Sequence, residues 1–116
     1  MVAEAPDDLV RLFGALANRH RREMMHLLSL QPHSISRLAH MRGLSLPAIN
    51  KHVRVLEGAG MVRRRKLGRT TFLALERASI RSLQAWLGEY HAYWGTEQET
   101  LENYEAFLAA EPPTKR

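Results

Sequence analysis

Seven cations and one amide, gathered in the middle of this 116-residue chain, are the side chains best placed to do chemistry together. From Lys51 to Arg69, the cations Lys51, Arg54, Arg63, Arg64, Arg65, Lys66 and Arg69 face a single acid, Glu57, for a local net charge of +6. That density suits a phosphate backbone, where each neutralised phosphate releases a condensed counterion. Asn50 adds a donor and an acceptor side by side, the pair that meets the edge of adenine. An Arg-rich strand can also serve merely to keep a sheet edge soluble. Here the cations directly follow a helix of the DNA-reading type, which favours nucleic acid.

A helix and a hairpin must hold these residues. Ile49, Val53 and Leu56 recur at spacings of four and three, so they form one buried stripe and leave Asn50, Lys51 and Arg54 facing outward. Ser45 is the expected N-cap, and Pro47 falls in the first turn, where a missing N–H costs little. After Gly58 and Gly60, the β-prone runs MVRRRK and TTFLAL are joined by Leu67, Gly68 and Arg69, which predicts a hairpin with glycine at positive φ. Upstream, Ser34 or Ser36 caps a short helix containing Ile35, Leu38, Ala39 and Met41, and Arg42 with Gly43 turns the chain toward Leu44. Two helices joined by such a turn make a helix-turn-helix, and the hairpin is its wing.

Two further helices precede this motif. Asp7 or Asp8 caps the first, whose stripe is Leu9, Leu12, Phe13 and Leu16. The second starts near Arg19, buries Met24, Met25, Leu27 and Leu28, and stops at Gln31 and Pro32. Arg19, Arg21 and Arg22 crowd its start, where the helix dipole favours acids, a conflict that an anion would remove. The expected fold is mainly α with a small β-hairpin, a single winged helix-turn-helix domain over residues 1–116. The helix-turn-helix spans 34–58 and the wing 61–75, with terminal helices over 9–17 and 79–110.

The far end has the opposite character. Between Ser82 and Thr114 there is no Lys or Arg, against six glutamates, although the whole chain carries +5. This stretch holds both Trp, all three Tyr and one Phe, more aromatic area than a small winged core needs. A homodimer is therefore expected through the terminal helices, using Leu9, Leu12, Phe13, Leu16, Leu83, Trp86, Leu87, Tyr90, Trp94, Leu101, Tyr104 and Leu108.

Other function classes lack their residues. With no Cys there is no thiolate metal site or thiol redox switch. Asp occurs only at Asp7 and Asp8, and neither a phosphate-cradling glycine loop nor a serine elbow is present, so no enzyme and no cofactor are expected. The N-terminus lacks a signal-peptide pattern and no run approaches the ~20 apolar residues of a membrane span, which predicts a cytoplasmic protein. His26, His33 and His40 recur every seven residues, but Pro32 breaks any shared helix. His52 is expected to point at phosphate or base, and His91 sits among the aromatics. No metal is expected; the alternatives are a metal-responsive repressor with a His/Glu site, or a protein-interaction module whose basic wing is incidental.

The segments LFGALANRHRREMMHLL and SISRLAHMRGLSLPAINKHVRVLEGAGMVRRRKLGRTTFLAL, over about Leu9 to Leu75, resemble the ArsR/SmtB winged helix-turn-helix repressors. WLGEYHAYW leading into LENYEAFL is similar to the C-terminal helices of a cysteine-free branch. The resemblance implies a homodimer that binds an inverted-repeat operator in double-stranded DNA and represses transcription. It places Ser45, Pro47, Ala48, Asn50, Lys51 and His52 at or near the major groove and Arg65, Lys66 and Arg69 on the wing; Leu46 and the outward-facing Arg54 complete the expected DNA-binding set. Leu46 stands where a polar residue, often Gln, is usual, and Asn50 replaces the common Ser. Neither the cysteines nor the Asp-x-His pattern of metal-sensing members is present, and an effector has no signature in these residues.

Overall fold

Stripes spaced by three and four close on one another to make the core. In a computed structural model, residues 7–94 and 97–110 are described. The order is α1 (Asp7–Leu16), α2 (Arg19–Leu30), β1 (His33–Ser34), α3 (Ile35–Arg42), α4 (Leu46–Gly58), β2 (Val62–Leu67), β3 (Thr70–Leu75), α5 (Arg77–Trp94) and α6 (Glu97–Ala109). The chain forms two compact units, Met1–Leu83 and Gln84–Arg116, with the boundary inside α5.

In the first unit, Met24 and Leu28 of α2, Leu38 of α3 and Ile49, Val53 and Leu56 of α4 are buried with Met61 and Leu73. Each such side chain contributes about 1.5–3 kcal/mol relative to exposure. Leu9 and Leu12, expected on a dimer surface, are also in this core, at 5% and 2% exposure. The reason is that α1 packs on α2 and α4, so its regular stripe turns inward and leaves Val10 and Phe13 outside. Leu16 is half-buried. The described part of α1 begins at Asp7.

The β structure is larger than a hairpin. It is a three-stranded antiparallel sheet in the order β1-β3-β2, with His33 paired to Leu73 and Ser34 to Phe72. Two residues carry no periodicity, which hides β1 from any reading by pattern. Ser34 then has a second task, since its hydroxyl accepts the Arg37 N–H at 3.1 Å and caps α3.

The turn between α3 and α4 depends on Gly43, whose φ is 65°. Its N–H donates to the His40 carbonyl and that of Leu44 to the Ala39 carbonyl, at 3.1 and 2.9 Å. This Schellman pattern requires a left-handed residue. Ser45 caps α4 as expected, accepting the Ala48 N–H at 3.2 Å. In the wing, Gly68 at φ 63° supplies the turn between paired Leu67 and Thr70.

Two of the three arginines at the start of α2 find acceptors inside the chain. Arg21 Nε donates to the Ala15 carbonyl at 2.6 Å and Arg22 Nη1 to that of Leu16 at 2.8 Å. They satisfy the negative end of α1, and Asn18 caps α2 through the Arg21 N–H at 3.1 Å. Among the described residues, no helix is long and apolar enough to cross a membrane.

Candidate nucleic-acid interface

Burial of Ile49, Val53 and Leu56 fixes which way every other side chain of α4 points. Lys51 and Arg54 are exposed, as are Ser45, Leu46 and Pro47 at the N-terminal end, while Ala48 is half-buried. Leu46 is half exposed, at 50%, an apolar contact surface at the tip of the helix. Asn50 and His52 are less open than Lys51 and Arg54. Both are half-buried, because each lies on a flank of the helix instead of its outer face.

The His52 flank faces α2. Its Nδ1 lies 3.3 Å from Arg21 Nη1, and its ring centroid lies 5.6 Å from that of His20. Arg42 Nη2 of α3 lies 3.1 Å from His20 Nδ1. A guanidinium can only donate, so both imidazoles accept at Nδ1 and carry their proton on Nε2. Burial, then Arg21, then His20 hold the His52 pKa below its ordinary 6.5. The Arg21 contact thus ties the Nδ1 edge of His52 to α2.

The Asn50 flank faces the sheet across a cleft of about 350 Å³, lined also by Ser34, Ser36, Arg64, Arg69, Thr70 and Thr71. Pattern reading missed the two serines and two threonines as site residues. The available signal was local: hydroxyl pairs stand at the start of α3, at 34 and 36, and at the start of β3, at 70 and 71.

On the wing, side chains alternate between faces, so Arg64 opposite Leu73 and Lys66 opposite Thr71 share one side, with Arg65 opposite Phe72 on the other. Arg64 Nε donates to Glu57 Oε2 at 2.8 Å, and Arg63 lies 3.8 Å from Glu76. Among the described residues, Lys51, Arg54, Arg65, Lys66 and Arg69 make no ion pair. The two pairs sit toward the start of β2, so the cations nearest its turn are the unneutralised ones.

The C-terminal helices carry the remaining expected residues. Leu87, Tyr90, Leu101, Tyr104 and Leu108 are exposed, whereas Leu83 and Trp86 are half-buried. Trp86 and Tyr90 meet edge to face at 5.0 Å. The side chains of Trp94 and His91 lie outside the described ones. Among the described residues, no three His or acidic groups converge as a metal site would need.

A family model for "Bacterial regulatory protein, arsR family" matches residues 18–64, which contain α2, the helix-turn-helix and the start of the wing. The HTH-type transcriptional regulator KmtR of Mycobacterium tuberculosis is 33% identical over 82 residues. That match covers 67% of this chain and 63% of the relative, so the chain spans less than two thirds of its length. The crystal structure of an ArsR family transcriptional regulator is 35% identical with a TM-score of 0.71, covering 80% of this chain and 96% of that one. A homodimeric winged helix-turn-helix DNA-binding domain from Mycobacterium bovis shares the fold, with a TM-score of 0.61 at 18% identity over 84% of this chain and 97% of that one.

Proposed function

The chain belongs to the arsR family of bacterial regulatory proteins, and on that premise we propose that it is a sequence-specific, DNA-binding transcriptional regulator. Its outcome is repression, its target an inverted-repeat operator, its working form a cytoplasmic homodimer, and it performs no catalysis. The observation that carries this reading is the set of unpaired cations, Lys51, Arg54, Arg65, Lys66 and Arg69, on α4 and the hairpin that follows it. Exposed apolar residues on α5 and α6, among them Leu87, Tyr90, Leu101 and Leu108, support the dimer.

Two recognition helices related by a dyad enter successive major grooves, so half-site centres about 34 Å apart are expected. Footprinting on its own promoter should show two-fold symmetry, and affinity should fall steeply as salt rises. An asymmetric footprint, or binding insensitive to salt, rejects the reading.

A further inference from the structure

The cleft beside Asn50 has the chemistry of an anion seat. Its lining offers the hydroxyls of Ser36, Thr70 and Thr71, the amide of Asn50 and the guanidinium groups of Arg64 and Arg69, and among the described residues no carboxylate lines it. Arg64 keeps its two Nη groups for the cleft, because the bond to Glu57 uses Nε. Ser34 accepts the Arg37 N–H, so its own O–H is left to donate. Small-molecule sites are lined mainly by apolar side chains with a few polar groups. This cleft reverses that balance, and a hard oxyanion with several acceptor oxygens is what such donors satisfy.

The cleft also lies between the two elements expected to grip DNA, α4 and the wing. Resting on the DNA-binding reading above, the geometry points to a seat for one backbone phosphate of the operator, in which Asn50 is a phosphate-side clamp and not a reader of adenine. Asn50 holds one wall from α4 and Arg69 the other from the wing. Binding there fixes the wing's position relative to the recognition helix while carrying no sequence information itself.

The experiment uses the full chain, with anisotropy titrations on operator and random duplexes over a salt series. Asn50→Ala and Thr71→Val should each lower affinity about five- to tenfold on both duplexes, the loss of roughly one hydrogen bond. Arg69→Gln should reduce the slope of log affinity against log salt by about one unit. A scan with single methylphosphonates, which remove one phosphate charge at a time, should find a position that weakens the wild type but costs Arg69→Gln nothing more. Inorganic phosphate at matched ionic strength should not compete, since the free ion lacks the rest of the backbone. Thermal melts should show all three variants folded.

An Asn50→Ala loss confined to the operator would overturn the proposal and make Asn50 a base reader. Competition by inorganic phosphate at low millimolar concentration would also overturn it, turning the cleft into a free-anion site. Unchanged affinity in the variants, with wild-type binding still salt-dependent, would exclude the cleft from the contact and leave the functional reading standing. Absence of duplex binding by the wild type would reject both.

Discussion

The first unit and α6 solve opposite problems with the same residue types. In the first unit, Leu38, Ile49 and Leu56 are fully buried and the cations of α4 and the wing stand outside. In α6, Leu101, Tyr104 and Leu108 lie on one helical face, yet all are more than half exposed, at 54%, 56% and 62%. Glu102 and Glu105 lie between them, beside Asn103, Ala106 and the exposed Phe107, and no Lys or Arg occurs from Ser82 to Thr114. The winged unit is thus finished inside and unfinished in charge. The last helix is balanced in water only at its acidic positions and unfinished in apolar contact, since soluble monomers rarely leave contiguous apolar surface of this kind open.

The same substitution made in both places is the strongest way to break that contrast. Leu38→Ala should lower unfolding stability by about 2–5 kcal/mol, because the cavity adds to the lost transfer energy. Leu101→Ala should cost less than about 1 kcal/mol of unfolding stability when measured below the concentration at which copies associate. Chemical denaturation at low protein concentration compares them. Equal losses would mean that α6 has a core of its own.

Tyr90→Ala comes next in size. If the exposed faces of α5 and α6 meet in a second copy, truncation should weaken association by about 2 kcal/mol, the scale of an aromatic hot spot. Operator affinity should fall with it, because a lone chain loses the linkage between half-sites. Analytical ultracentrifugation reads the first effect and anisotropy the second. A wild type that stays monomeric at micromolar concentration would leave the exposed face without its partner and sink the dimer.

The contrast also explains what could be read from residues alone. Stripes such as Ile49, Val53 and Leu56, caps such as Ser45, and the positive φ of Gly68 follow from rules that act within a few positions, so helices, turn and wing were legible. A stripe does not say what covers it: Leu9 and Leu12 looked like a surface and are core, because α2 and α4 happen to lie over them. The two strand residues His33 and Ser34 have no pattern to betray them. His52 and Asn50 show a third limit. Each sits within about a quarter of a turn of the buried stripe, where the neighbouring element decides whether a polar side chain meets solvent, an arginine or a cleft.

The smallest expected effect concerns the His52 flank, and its sign separates the two sides of α4. The folded chain holds His52 below its ordinary pKa of 6.5, first through burial and then through Arg21 and His20. The unfolded chain therefore binds the proton more readily, so stability rises with pH across this range. The contribution from this group is fully present above about pH 6.5 and is lost as pH falls toward the depressed folded value. Protonation would put a donor at Nδ1 against the Arg21 guanidinium, 3.3 Å away, with Arg42 behind His20 on the same side. Acidification makes any histidine more cationic, which by itself would favour DNA; here it should instead loosen the seating of α4 on α2. Unfolding followed between pH 7.5 and 5.5 should show a stability loss in the wild type that His52→Gln lacks, since glutamine accepts from Arg21 without titrating. Identical pH slopes in the two proteins would show that His52 meets solvent as the groove-facing reading requires, and would return it to the DNA face beside Lys51.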